Sequence, residues 1–188
     1  MPPETADASL PGNFRTPSEG AAANLTESIQ VVEFLLGKEH YAINLFEVKE
    51  VVDYTTITRL PNIPPFIRGI IDLRGEITTI VDLKQRLNLA VTTEDPDNEN
   101  GRIIVLDEKL TGMKTGVLVD DVLSVSTFDP GDVDCSQRSL YQENTAILGI
   151  IRKKVKVHDR DVSDLIVWIG LRQILMDTAL TGTMNDGA

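Results

Sequence analysis

Residues 66–83 read Phe66-Ile67-Arg68-Gly69-Ile70-Ile71-Asp72-Leu73-Arg74-Gly75-Glu76-Ile77-Thr78-Thr79-Ile80-Val81-Asp82-Leu83. Two apolar runs rich in β-branched side chains flank a tight Asp-Leu-Arg-Gly turn. That is the pattern of a β-hairpin whose tip carries an arginine beside a glycine able to take φ > 0. A charged tip on a β-branched hairpin suits protein docking, and nothing in it resembles a catalytic set.

The pattern returns later in the chain. Ile67-Arg68-Gly69-Ile70-Ile71 is echoed by Ile147-Leu148-Gly149-Ile150-Ile151, and Leu83-Lys84-Gln85-Arg86-Leu87 by Leu171-Arg172-Gln173-Ile174-Leu175. The apolar positions of Ile43–Val51 match those of Val117–Val125. The order is the same in both halves, which points to one duplicated structural unit and two similar β-modules. The polar, acidic stretch Thr92–Gly101 separates the two copies in sequence, with the second beginning at Arg102. That stretch lacks the alternating ligands, central glycine and terminal glutamate of a calcium-binding loop, and reads as a solvated loop.

The rest of the chain supplies short strands punctuated by turns. Ile29–Leu36 and Tyr41–Asn44 form a hairpin about a turn at Gly37–His40, and Leu45–Val51 has apolar residues at the spacing of a short helical turn. Leu60-Pro61-Asn62-Ile63-Pro64-Pro65-Phe66 is too proline-rich for a ladder or a helix interior, so it is a stiff connector expected to drape over apolar surface. Val81–Leu89 closes the first unit with a short helix. In the second half, Asp107–Lys114 and Phe128–Asp132 read as turns and residues 133–144 as a long loop. Ile147–Ile151 and Leu165–Ile169 form a strand pair around a charged excursion, Arg152–Asp164. Gly170–Thr178 is an amphipathic helix. About ten such strands predict a mainly β fold of two small five-stranded barrels sharing an apolar seam, with short helices capping them. Residues 1–28, rich in Pro, Ala, Ser, Thr and Glu, are expected to be a disordered tail, 29–178 the folded domain, and 179–188 a fraying tail.

Charge and cysteine usage narrow the partners. With 18 basic against 29 acidic residues the net charge is −11, which disfavours nucleic acid and anionic membrane surfaces. One cysteine, Cys135, excludes an intramolecular disulfide and suits a reducing cytoplasm. One cysteine with two histidines, His40 in a turn and His158 in a polar loop, is a poor metal set, and no cofactor is expected. No apolar run approaches the roughly 18 residues of a membrane span, and no signal sequence opens the chain.

A search for catalytic constellations returns nothing: no glycine-rich phosphate loop, no nucleophile elbow. Asp120-Asp121 cannot converge on one ligand while the strand stays regular, because neighbours point to opposite faces. What remains is surface. Arg74 and Arg68 are placed for charge-assisted contact with a partner carboxylate. The alternative is that Arg74 pairs internally with Asp72, Glu76 or Asp82 and pins the turn.

An ordered set of segments resembles the CheW family of chemotaxis adaptors. These are Phe34-Leu35-Leu36-Gly37 with Tyr41-Ala42-Ile43, Val48-Lys49-Glu50-Val51, Thr58-Arg59-Leu60-Pro61, Pro65-Phe66-Ile67-Arg68-Gly69, Asp72-Leu73-Arg74-Gly75 with Ile80-Val81-Asp82-Leu83, Gly116–Val122 and Leu148-Gly149. Together they cover about four-fifths of the chain, from Ile29 to Leu175. The family usually carries Asn where this chain has Asp72, and both the acidic stretch 94–99 and the charged segment 152–164 are longer than is typical of it. The resemblance implies two SH3-like barrels around a shared core. It implies a cytoplasmic, non-catalytic adaptor that couples the cytoplasmic hairpin tips of chemoreceptors to the regulatory domain of a CheA-type histidine kinase, in arrays beneath the membrane and without inserting into it. By position it carries over Glu50, Arg68, Gly69 and Arg74 as coupling residues, and Val119 and Val122 as the lining of an apolar groove for a receptor helix. A kinase fragment, an adaptor fused to a receiver domain and a β-barrel enzyme are the competing readings. A start at Met1, the absence of an ATP-site motif and the short length speak against the first two, and the failed catalytic search against the third.

Overall fold

The computed structural model describes residues 27–89, 101–136, 146–157 and 160–176. The expected tails (apart from residues 27 and 28), the acidic stretch up to residue 100 and His158 lie outside the described residues. The chain opens with a hairpin of β1 (Ile29–Leu36) and β2 (Glu39–Asn44), followed by a 3-10 turn at Leu45–Glu47 and β3 (Val48–Asp53). Beyond the connector lie β4 (Ile67–Leu73), β5 (Glu76–Asp82) and α1 (Leu83–Arg86). The second half holds β6 (Arg102–Leu106), α2 (Glu108–Thr111), β7 (Thr115–Val119) and β8 (Asp121–Phe128). A two-residue β9 (Val133–Asp134), the long strands β10 (Ile147–Val157) and β11 (Arg160–Ile169), and α3 (Leu171–Met176) complete it.

Two sheets result, ordered β3-β6-β7-β5-β4 and β8-β1-β2-β11-β10-β9. The five strands of the first correspond in order to the first five of the second, to which β9 is added at the edge. In each, one parallel pair (β5 with β7, β11 with β2) sits among antiparallel neighbours. The echoed glycine segments even share a defect, because the ladder slips between Ile67 and Gly69 in β4 and between Ile147 and Gly149 in β10. The duplication is therefore real in three dimensions, and the architecture is that of two SH3-like barrels. The division at residues 92–101 is not the boundary between them. β1 and β2, although N-terminal, complete the second barrel, while β6 and β7 complete the first.

Strand alternation explains the packing. On β7, Leu118 points into the first barrel with Ile71, Ile80, Ile103 and Val105, while Val117 and Val119 point into a layer between the barrels. On β1, Val31 points into the second barrel with Ile151, Ile166 and Trp168, while Val32, Phe34 and Leu36 join the same shared layer. Strands buried on both faces read as continuous apolar runs, which is why Arg102–Leu106 and Gly116–Val119 show no polar alternation. Among the described residues the shared layer holds fourteen buried side chains, against six and five inside the barrels. With about 1.5–3 kcal/mol from each large apolar side chain fully buried, the seam is the larger source of stability.

Several expectations are corrected. The charged stretch Arg152–Asp164 is strand, not a loop excursion: β10 and β11 pair continuously from Ile147↔Ile169 out to Val157↔Arg160. His40 lies within β2, with Nδ1 2.7 Å from Asp164 Oδ2, because the turn closes at Gly37-Lys38. Residues 107–114 contain one helical turn, capped by the Asp107 carboxylate accepting from Lys109 N at 2.9 Å. The proline-rich connector is anchored at its ends, by Thr58 and Ile70 exchanging backbone hydrogen bonds of 2.9 Å and by Phe66 packing on the shared core. Its middle does not drape over apolar surface, and Leu60 is exposed.

One consequence is that neither barrel melts alone. Phe34→Ala, at a fully buried position of the shared layer, is expected to cost about 3–5 kcal/mol. Urea unfolding followed by fluorescence of Trp168, the one tryptophan, and by far-UV circular dichroism is expected to give superimposable transitions. Separate transitions for the two probes would contradict a shared core.

Candidate docking surface

The tip of the β4–β5 hairpin is a two-residue turn, with Leu73 paired to Glu76 and both Arg74 (φ 56) and Gly75 (φ 83) in the left-handed region. This is the turn whose twist matches its flanking strands, and it normally carries Asn-Gly or Asp-Gly. Arginine there is strained, and two contacts fix it. Asp72 Oδ1 accepts from Gly75 N at 2.6 Å, so the aspartate performs the turn-closing role open to the family's asparagine. Arg74 Nη1 donates to Glu50 Oε1 at 3.3 Å, with Nη2 2.9 Å from Oε2.

Arg74 therefore pairs within the chain, with a partner other than those expected. Its partner is not Asp72, Glu76 or Asp82 but Glu50 on β3, at the far edge of the same sheet. The neighbouring Lys49 lies 3.9 Å from Glu76, which also pairs with Lys114. Ion pairs thus link the edge strand β3 to the tip of the β4–β5 hairpin. The Arg74 side chain remains 76% exposed while Glu50 is 23% exposed, so the guanidinium is both fixed in direction and open to solvent. Exposed apolar side chains follow each partner in sequence, Val51 after Glu50 and, two residues beyond Gly75, Ile77.

Arg68 and Gly69 have a different character. The Arg68 side chain is largely buried, with Nη1 3.9 Å from Asp82 Oδ2. The Asp82 carboxylate also caps α1, accepting from Gln85 N at 3.1 Å and from Gln85 Nε2 at 3.2 Å. Gly69 has φ 144, and a Cβ there would stand 2.1 Å from the Thr58 carbonyl oxygen. It is the absence of a side chain at Gly69 that lets the connector pair with β4. Both residues hold the base of the hairpin in place, Arg68 largely buried and Gly69 buried.

Val119 and Val122 lie at the crossover from β7 to β8. Val119 is fully buried in the shared layer. Val122 is half-buried against the same layer. Between them Asp120 ties the barrels together. Its Oδ1 accepts from Lys84 Nζ of α1 at 2.7 Å, and its Oδ2 accepts from Gly37 N at the β1–β2 turn. The structure brings Glu50 and Arg74 into contact, sets Arg68 and Gly69 at the other end of β4, and places Val119 and Val122 on the inter-barrel side.

Sequence reading did not find the exposed Leu123 and Val125 on the outer face of β8, nor Phe46, which is 82% exposed. Alternation along Val122-Leu123-Ser124-Val125 was the available signal for the first two. It also missed Glu47. Burial pushes that carboxyl up to about 7, against a smaller lowering from the Asn44 backbone, and Oε2 has no hydrogen-bond partner among the described residues. No group of three or more metal-ligating side chains occurs among the described residues, and no helix there is long and apolar enough to cross a membrane.

Fold and surface together define a double-barrel β module whose most distinctive exposed feature is an ion-paired hairpin tip. The family model for the CheW-like domain matches residues 30–168, and the chain belongs to that family. Among curated relatives, the chemotaxis protein CheW of Bacillus subtilis is 26% identical over 132 residues, 70% of this chain and 81% of that protein. The Klebsiella aerogenes CheW is 38% identical over 97 residues, 50% of this chain and 55% of that protein. Among solved structures, the scaffolding protein TtCheW from Thermoanaerobacter tengcongensis is similar with a TM-score of 0.62 and 32% identity, covering 79% of this chain and 92% of that one.

Two tests follow from this geometry. Gly69→Ala is expected to lose at least about 1–3 kcal/mol, since it combines an unfavourable φ with a backbone collision, and Arg74→Ala less than about 1 kcal/mol because its ion pair is exposed. Urea midpoints measure both, and equal losses would refute the distinction between support and contact. The second concerns Glu47, whose folded-state pKa lies above the unfolded value. Its contribution is fully present below the unfolded pKa and is lost as pH rises through about 7. Glu47→Gln is therefore expected to raise stability at pH 8 relative to the unsubstituted chain and to flatten the slope between pH 5 and 7. An unchanged slope would place the carboxylate in water.

Proposed function

We propose that this chain is a non-catalytic adaptor that couples chemoreceptors to a CheA-type histidine kinase. Membership of the CheW-like family supports this reading. So does the Arg74–Glu50 pair, the observation that carries it. A guanidinium held at a fixed direction by a half-shielded carboxylate, on a tip with exposed Ile77, offers a charged anchor beside an apolar one, as docking surfaces do. The kinase regulatory domain is the partner proposed for the tip of the first barrel, where Glu50 and Arg74 make contact while Arg68 and Gly69 hold the hairpin. The cytoplasmic hairpin of a receptor is proposed for the inter-barrel side near Val122, over the floor to which Val119 contributes, in helix-in-groove fashion. The adaptor works in the cytoplasm at receptor arrays, with no nucleic-acid partner and no insertion into the bilayer. The pathway it serves controls swimming or another output such as surface motility.

The test is binding of the purified chain to a receptor cytoplasmic hairpin and to the kinase regulatory domain from the same source, each alone and together. Binding to both is expected, with Arg74→Ala weakening attachment to the regulatory domain about tenfold while the fold is retained. Binding to neither by a verified folded sample would overturn the adaptor reading.

A further inference from the structure

The second barrel does not end where the first does. Register equates Asp72↔Ile77 of the first hairpin with Arg152↔Leu165 of the second, so Ile77 and Leu165 are equivalent, and both are more than half exposed. In the first hairpin the strands then turn at Arg74-Gly75. In the second they run on through four further pairs, Lys154↔Ser163 to Val157↔Arg160. The added ribbon has open edges: β9 pairs with β10 only at Ile150 and Ile151, and β2 pairs with β11 only from Ile166 to Trp168.

Its two faces differ. The face that continues the interior of the second barrel carries Lys153 and Asp164 at the base. Lys153 Nζ donates to both oxygens of the buried Glu33 carboxylate, at 2.9 and 2.8 Å, and Asp164 lies 2.7 Å from His40. Burial alone would raise the Glu33 pKa. Hydrogen bonds from Lys153, Ser126 and Ser124, with the Lys153 charge, outweigh that and hold it below the ordinary range. An ionised carboxylate removed from water is expensive to leave unpaired, so Lys153 stays clamped and the base of the ribbon has one orientation. The opposite face presents Arg152, Lys154 and Lys156 at alternate positions, all exposed, with exposed Leu165 opposite Arg152, Ser163 opposite Lys154 and Asp161 opposite Lys156 in register. Arg152 reaches Asp134 at 3.1 Å, and no ion pair is seen for Lys154 or Lys156 among the described residues.

We propose that this ribbon face is a further docking surface, distinct from the hairpin tip of the first barrel, and that its occupant is an acidic protein segment carrying an apolar side chain that seats on Leu165. Charge selects the occupant. On a chain of net charge −11, the three cations, set against Asp134 and the cross-strand Asp161, still leave a local excess of positive charge, and it attracts a compact acidic segment that reaches only the stripe. An extended polyanion such as a lipid surface would also face the acidic remainder, and at physiological salt charges are felt over about 8 Å. This surface goes beyond receptor–kinase coupling and does not depend on it.

Fluorescence anisotropy of a labelled Glu-Glu-Leu-Glu-Glu-Leu-Glu-Glu peptide against the full chain tests the proposal, beside sedimentation with phosphatidylserine vesicles. Saturable peptide binding is expected, weakened about tenfold by Lys154→Glu/Lys156→Glu and less by Lys154→Ala/Lys156→Ala, with circular dichroism unchanged and no vesicle binding. No peptide binding, or binding that both folded variants retain in full, would overturn it, as would binding to the vesicles in place of the peptide. Neither arm uses a receptor or a kinase, so its failure leaves the adaptor reading standing.

Discussion

The apolar layer between the barrels is the constraint on which the rest of the structure depends. Phe34, Ile43, Ile104, Leu83 and Ile169 reach it from strands and helix starts of both barrels and are all fully or nearly fully buried. Because β1 and β2 precede the first barrel in sequence yet close the second, the second barrel is assembled from both sides of the chain, with the whole first barrel, β3 to β7, lying between its parts. The layer therefore sets the relative placement of the two barrels, and with it the distance between the hairpin tip on one and the ribbon on the other. The Lys84–Asp120 contact across the crossover adds direction to what apolar packing leaves unspecific.

On that frame the two hairpins are variations on one unit. Both begin with the same slipped ladder at a glycine and both lead into a short helix that supplies leucine or isoleucine to the shared layer. They diverge only beyond the frame. One ends in a strained Arg-Gly turn braced by Glu50, the other extends as a ribbon braced by Glu33 and His40. In each case a carboxylate from another strand fixes a basic residue on the hairpin. The exposed Arg74–Glu50 pair contributes little to stability and acts on side-chain direction, whereas the buried Glu33 carboxylate depends on Lys153 for its compensation.

The sequence was most legible where burial imposes a period. The hairpin about Arg74, the duplication and the mainly β class follow from alternation and turn residues, and the double burial of β6 and β7 from their unbroken apolar runs. It was least legible where the determining contact is distant. Glu50 lies 24 residues from Arg74 and on another strand, so no local pattern announces it as the partner. The segment Arg152–Asp164 looked like a loop because its charges are dense, although Lys154-Val155-Lys156-Val157 keeps the alternation of a strand. Val119 looked like groove lining because apolar spacing cannot distinguish a residue on a surface from one fully beneath it. The barrel boundary was misread because strand order in space departs from strand order in the chain.

Whether the braced tip of the first barrel is a contact surface is tested by amide hydrogen exchange of the full chain with and without the kinase regulatory domain. Protection concentrated in β3 and at the β4–β5 tip, with the ribbon of the second barrel unchanged, is the expected result. Binding that leaves β3 and the tip exchanging as in the free chain, while protecting other strands, would contradict it.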